Sequence, residues 1–172
     1  MAGSSFRRRG SMTRLFVIFG WIVTIPCLTF AQSGHSPYAG EEKREIKALS
    51  QEDVEGYLTG QGMGFAKAAE LNHYPGPKHV LELAGELSLK EEQIDQTKEA
   101  YNKMHKDAVS LGKKIVEKER FLDHLFASGK IDAKKLRETT LGIGTLQGEL
   151  RAVHLKAHLE MREILSPHQI QR

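Results

Sequence analysis

Residues 88–127 read SLKEEQIDQTKEAYNKMHKDAVSLGKKIVEKERFLDHLFA, and the spacing of their apolar positions decides the fold. Ile94, Thr97, Tyr101, Met104, Ala108, Leu111, Ile115, Lys118, Leu122 and Leu125 recur at alternating steps of three and four. That is the seven-residue repeat of a helix that buries one seam against a neighbour, here with one polar interruption. Ser88 offers a hydroxyl to cap this helix, and Glu91, three residues on, reaches back to the cap amide. After Ser128-Gly129-Lys130 the same steps resume in Leu136, Thr139, Ile143, Leu146, Leu150, Val153, Ala157, Glu160 and Ile164. Two such runs joined by a short glycine loop predict an antiparallel hairpin over about residues 88–165. At 1.5 Å per residue the first arm is roughly 58 Å long, so the expected shape is a rod.

Upstream, strand signals stay scarce and helix formers dominate. A first helix is expected from Ser50, with Asp53 three residues on, to about Leu71. It breaks at Asn72-His73-Tyr74-Pro75-Gly76-Pro77, where two prolines withhold backbone donors, and a short helical turn is expected over Lys78 to Leu87. The fold class is therefore all-α: an elongated antiparallel helical hairpin with an additional N-terminal helix. Glycines inside the helices each cost about 1 kcal/mol relative to alanine, so something must compensate them. Gly56, Gly60 and Gly64 at steps of four, and a stripe of Leu141, Gly144, Gly148, Ala152, Leu155 and Leu159, are smooth faces suited to packing on each other or across a homodimer; the alternative is a partly frayed helix. Gly60-Gln61-Gly62-Met63-Gly64 follows no strand and is not a nucleotide loop.

The chain of 172 residues has 25 Lys plus Arg against 22 Asp plus Glu, a formal charge of +3. Arg7, Arg8, Arg9 and Arg14 all precede residue 32 and no acid does; without them 21 basic residues face 22 acidic ones, a charge of −1. Residues 15–30, LFVIFGWIVTIPCLTF, form an apolar run after those arginines, and Thr29 and Ala31 place small residues at −3 and −1 of a cut before Gln32. This is the pattern of a secretory signal over residues 1–31, which directs export. The run is short for a membrane span, which needs roughly 20 residues, so the membrane is a partner only if the segment stays uncleaved. A lipoprotein reading through Cys27 is opposed by Pro26, where a small residue is expected. A polar leader over 32–47 and a helical domain over 48–172 complete the division. The only Cys (Cys27) and the only Trp (Trp21) lie in the signal segment. The remainder lacks a thiol nucleophile, a disulfide, a thiolate metal site and the bulk positive charge of a nucleic-acid binder.

All eight histidines follow the signal. His154 and His158, four apart, project from one helix face with rings able to share an ion. In the antiparallel frame His105 stands level with residue 155, so His105, His154 and His158 form a candidate three-nitrogen site, with Met161, Met104 or Glu160 as further ligands. Imidazole suits Zn, Cu or Ni, and a thioether shifts the preference towards soft copper. The alternative for each ring is simple packing beside an apolar seam. His73 and His79, flanking the Pro-Gly-Pro turn, are a possible second metal site, whereas His35, His124 and His168 carry no assigned role. The His154–His158 pair lacks the Glu after the first His that a metalloprotease would use as general base.

Two short motifs, Leu89-Lys90-Glu91-Glu92-Gln93 and Leu165-Ser166-Pro167-His168-Gln169, resemble the paired Leu-Thr-x-x-Gln motifs of the Spy/CpxP family of exported bacterial stress proteins and their zinc-resistance-associated and heavy-metal-sensor relatives. The second copy has Ser for Thr; the first has Lys90 at the Thr position and keeps Leu89 and Gln93. Ser166, Pro167 and Gln169 also read as a capped final turn able to fold against the start of the long helix. The resemblance covers about residues 78–172. It implies an all-α fold that dimerises into a curved cradle, no enzymatic activity, no required cofactor, and a role in envelope stress as a chaperone, a metal binder or a regulator of a sensor protein.

Two function classes follow. One is an ATP-independent chaperone-like protein holding unfolded exported clients on apolar residues off the seam, such as Val109, Val116, Phe121, Phe126, Leu155 and Leu159. The other is a periplasmic heavy-metal-binding sensor or resistance protein built on His105, His154 and His158. An enzyme is poorly supported, because the mature stretch has no thiol, no evident Ser-His-Asp ordering and no carboxylate pair in a predicted pocket.

Overall fold

The computed structural model describes residues 37–172. The signal segment 1–31, the first part of the leader and His35 lie outside the described residues. Among those described there are six helices and no strand: α1 Gln51–Thr59, α2 Lys67–Glu70, α3 Pro77–Glu82, α4 Glu91–Ala127, α5 Ala133–Ile164 and α6 Pro167–Ile170. The hairpin forms as the spacing predicts. Thr97, Ala108, Ile115 and Leu125 on α4 and Thr139, Ile143, Leu150 and Ala157 on α5 are buried along the seam. α4 ends with Gly129 in the left-handed region at φ 65°. There the Lys130 N–H donates to the Leu125 carbonyl (3.0 Å) and the Gly129 N–H to that of Phe126 (3.1 Å), which satisfies two orphan carbonyls and reverses the chain. Asp132 then opens α5 by accepting from the Lys135 N–H at 2.8 Å.

Two local expectations need correction. The cap of α4 is Lys90, not Ser88; Gln93 supplies the return bond, accepting from the Lys90 N–H at 3.1 Å, while Ser88 sits at φ 49° in the preceding turn. The first helix stops at Thr59 and does not reach Leu71, because Gly60 takes φ 65° and its successors form a loop before the short α2. Its start is as expected: Ser50 Oγ accepts from the Asp53 N–H (3.0 Å) and the Asp53 carboxylate accepts from the Ser50 N–H (2.9 Å); the Ser50 hydroxyl, which donates to that carboxylate at 2.6 Å, and then the Ser50 N–H hold the Asp53 pKa below the ordinary carboxylate value. The end of the leader packs on α4. Ile46 is only 2% exposed, Lys47 Nζ pairs with Asp123 at 3.2 Å, and Arg120 Nε pairs with Glu45 at 3.0 Å.

α1 lies across α4, and the crossing explains one helical glycine. A Cβ on Gly112 would stand 2.0 Å from the Tyr57 carbonyl oxygen, so only glycine lets the two backbones approach this closely. The two small-residue stripes do not pack on each other. Gly60 and Gly64 lie outside α1 in left-handed backbone, while Gly144 and Gly148 face open space with Leu141 and Leu159 exposed beside them. The core divides into two clusters. One centres on Ile46, Tyr57, Ala108, Ile115, Val116 and Leu150, the other on Val80, Leu87, Ala100, Met161 and Leu165. Along both long helices the residues between these clusters line a cleft.

Candidate metal centre

The cleft has a volume of about 410 Å³. Its base is formed by α4 from Tyr101 to His105 and α5 from His154 to His158; one wall is the glycine-rich loop Gly60–Gly64, the other the start of α3 at Gly76–His79. All three histidines of the expected triad therefore reach one cavity, and His79 joins them.

Each ring is held differently. His158 is 5% exposed, and its Nδ1 lies 2.8 Å from the Tyr74 carbonyl oxygen. A carbonyl can only accept, so Nδ1 carries a proton, and Nε2 is the nitrogen that holds the lone pair in the tautomer this bond selects. Nε2 faces Gly76: a Cβ there would stand 3.2 Å from it and 3.0 Å from Cε1, so the glycine makes room for the ring. His105 uses Nε2 to donate to the Thr59 carbonyl (3.1 Å) and stacks on Tyr101 with centroids 5.7 Å apart. His154 is 4% exposed and stacks on Phe65 at 6.0 Å. Its Nε2 is buried with no hydrogen-bond partner. Burial, and secondly the neighbouring His158, hold the His154 pKa below the ordinary imidazole value, which keeps the ring neutral and able to act as a ligand near neutral pH.

An orphaned buried ring nitrogen costs free energy unless something fills it. Beside it His158 shows the arrangement usual for metal-binding imidazoles, one nitrogen fixed by a backbone carbonyl and the other left open. The lining thus fits a transition-metal cation. Among the described residues, however, no three His, Cys, Asp or Glu side chains stand close enough together to hold one ion. The three imidazoles share a cavity without forming a ready-made tri-dentate set.

The other candidates are distributed elsewhere. Met161 is fully buried in the second apolar cluster with Val80, Leu87 and Ala100. Glu160 lines a separate depression between α4 and α5 with Lys103 and Lys156. His73 and His79 are split: His79 reaches the cleft and places Nδ1 3.0 Å from the Glu82 carboxylate, whereas His73 adopts φ 62° and lines a different hollow beside Arg162 and Pro167. Met104 does line the cleft, and so does Met63, which sequence reasoning passed over. Its signal was available in the pattern Gly62-Met63-Gly64, a large soft side chain held in glycine-rich backbone.

The motif residues form a separate structure at the base of the hairpin. Gln93 Nε2 donates to Gln169 Oε1 at 3.0 Å and Gln169 Nε2 to Gln93 Oε1 at 3.2 Å, a reciprocal amide pair. The same oxygens accept from the Lys90 and Ser166 N–H groups (3.1 and 2.9 Å), and the same nitrogens donate to the Ile164 and Leu87 carbonyls (2.8 and 3.2 Å). The pair caps α4 and α6 and joins them. Leu89 and Leu165 pack beneath it, and Ser166 Oγ accepts from the Gln169 N–H at 3.4 Å. Every donor and acceptor of both amides has a partner, so this is a clasp and not a ligand site.

The off-seam apolar residues are also divided. Val116 is buried under α1, Val109 and Leu155 are half-buried, and Phe121, Phe126 and Leu159 are exposed. Among the described residues no helix is long and apolar enough to cross a membrane.

No curated protein and no solved structure matches the chain. A family model does: heavy-metal resistance, over residues 62–172, a stretch that contains every cleft histidine, Met63, Met104 and both clasp glutamines. That family is not known as an enzymatic one. The match covers well over half of the sequence, and the chain belongs to the heavy-metal resistance family, within the Spy/CpxP-like group.

Proposed function

We propose that this chain is an exported, non-enzymatic protein that binds a heavy-metal ion in the cleft between the two core clusters. The Nε2 atoms of His154 and His158 are its nitrogen ligands, and His105 lines the same cleft with its own Nε2 engaged by the Thr59 carbonyl. The observation that carries this reading is the buried, unpartnered Nε2 of His154 beside a His158 ring whose Nδ1–H is already fixed. Membership of the heavy-metal resistance family supports it independently. The periplasmic setting rests on the basic and apolar N-terminal segment. A homodimer is in keeping with the exposed stripe from Leu141 to Leu159 on α5. Nothing in these findings favours client holding over metal capture.

Metal titration of the full chain tests the reading. An ion that binds only the folded state raises its stability by about 2.7 kcal/mol at a hundredfold excess over the dissociation constant. Thermal melts with Zn(II), Ni(II) and copper should therefore shift upward with concentration, and His154→Ala with His158→Ala should remove the shift. An unchanged shift in the double variant would move the site elsewhere, and no shift with any ion in the unaltered chain would refute metal binding.

A further inference from the structure

We infer that the cleft is selective for a soft monovalent cation, Cu(I) or its congener Ag(I), with the thioethers of Met63 and Met104 joining the open nitrogens of His154 and His158. This inference rests on the metal-binding reading and specifies its cargo.

The donors left over in the cleft point this way. His105 commits Nε2 to the Thr59 carbonyl, and His79 turns Nδ1 to Glu82 on an exposed side chain, so the buried rings with an uncommitted Nε2 are those of His154 and His158. Since no three His, Cys, Asp or Glu side chains among the described residues converge, an ion held here needs a donor of another kind. The lining offers two thioethers, one from each side: Met104 from the α4 base and Met63 from the glycine-rich wall. Thioether with imidazole is a donor set for Cu(I), whereas zinc favours nitrogen, oxygen and thiolate and hard cations favour oxygen.

The backbone at Met63 supplies a second, independent observation. Met63 holds φ 43°, a conformation unfavourable for a residue with a Cβ, between two glycines that would adopt it freely. Its side chain lies over Gly56, where an added Cβ would stand 2.8 Å from the sulfur, so the lack of a side chain at 56 makes space for the thioether. Met63 is also 38% exposed, so burial does little to offset the strain. Strain of this kind gathers where a side chain is held ready for a ligand. Met161, the thioether singled out by its position near His158 in sequence, is sealed in the second cluster and takes no part.

The test uses the full chain and three probes: Cu(I) under anaerobic conditions in competition with a chromogenic chelator, Ag(I) by the same competition, and Zn(II) by calorimetry. Cu(I) and Ag(I) should bind more tightly than Zn(II). Met63→Leu and Met104→Leu, which keep side-chain volume, should each weaken Cu(I) and Ag(I) by about tenfold or more, with a smaller change for Zn(II). On adding Ag(I), the methyl resonances of Met63 and Met104 should shift and that of Met161 should not. Full Cu(I) affinity in the methionine variants, or tighter binding of Zn(II) than Cu(I) with His154→Ala abolishing both, would overturn the soft-cation assignment and leave the metal-binding reading standing. Failure of the unaltered chain to bind any of the three would overturn both. Circular dichroism melts of the leucine variants without metal confirm that they fold, and a Met63→Gly variant, which relieves the strain, should lose Cu(I) affinity while melting no lower than Met63→Leu.

Discussion

At the base of the hairpin, Gln93 and Gln169 commit both amide oxygens and both amide nitrogens to partners; further along the hairpin, His154 on α5 buries a ring nitrogen that has none. Both are polar groups taken into a helix interface, the glutamines in part and His154 almost wholly, and each carries a desolvation cost. The clasp recovers that cost by closing every hydrogen bond, and its product is a fixed junction between the start of α4 and α6. The cleft leaves the cost standing, and its product is a ring nitrogen without a partner in the cavity wall. A saturated polar site is structural, and an unsaturated one has room for a ligand.

The largest expected effect dismantles the cleft while sparing the clasp. Gly112→Ala drives a methyl group into the Tyr57 carbonyl, so α1 must lift from α4, at a cost of about 3 kcal/mol. Urea denaturation should register that loss. Hydrogen exchange should speed up in Gly60–Ala66 and not around Gln93, and uniform exchange throughout would mean that the two regions are not separable.

The next prediction breaks the clasp. Gln93→Leu strands the Lys90 N–H, the Ile164 carbonyl and the amide of Gln169, and should lower stability by about 2 kcal/mol. Adding Gln169→Leu should cost less than it does alone, because the two amides act as one network. Strict additivity in a double-mutant cycle would show that they do not.

The smallest change carries the opposite sign. His154→Phe replaces an unpartnered polar ring with an apolar one against Phe65, and should alter stability by about 1 kcal/mol or less, on the stabilising side, while metal binding is lost. The same variant has a pH signature. The folded pKa of His154 lies below the ordinary 6.5, so on acidification the unfolded chain takes up the proton first. Stability from this group is complete above pH 6.5 and declines as pH falls below it towards the folded pKa. The unaltered chain should lose stability between pH 7.5 and pH 5 in urea melts, and His154→Phe should lose less; identical pH profiles would show that His154 is not the group responsible.

Much of this architecture was legible beforehand. The alternating steps of three and four in α4 and α5 mark the buried seam, and Ser128-Gly129-Lys130 marks the reversal, because helix faces and turn conformations are set within a few residues. The same local rules misjudged the cap of α4, where both Ser88 and Lys90 precede an acidic first turn and the bond made by Gln93 favours Lys90. They also extended the first helix beyond Gly60, since periodic spacing alone does not register a left-handed glycine. The shared cavity of His105, His154 and His158 followed from antiparallel register. Met161 did not reach the cleft, because a residue three positions from a ligand on a helix also borders the seam, and here the seam takes it.

The helical periodicity, the hairpin and the gathering of histidines near one level of it were properties of the chain alone, since each depends on spacings of three, four or seven residues. Which ring nitrogens stay open was decided by tertiary structure. The Tyr74 carbonyl that fixes His158 comes from 84 residues away and the Thr59 carbonyl that engages His105 from 46, so no local pattern could have assigned the rings. Met63 reaches the cleft only because Gly112 admits α1 against α4 and Gly56 gives the sulfur space. Helices are specified by neighbours in the chain, but a ligand's lone pair depends on which distant carbonyls arrive first.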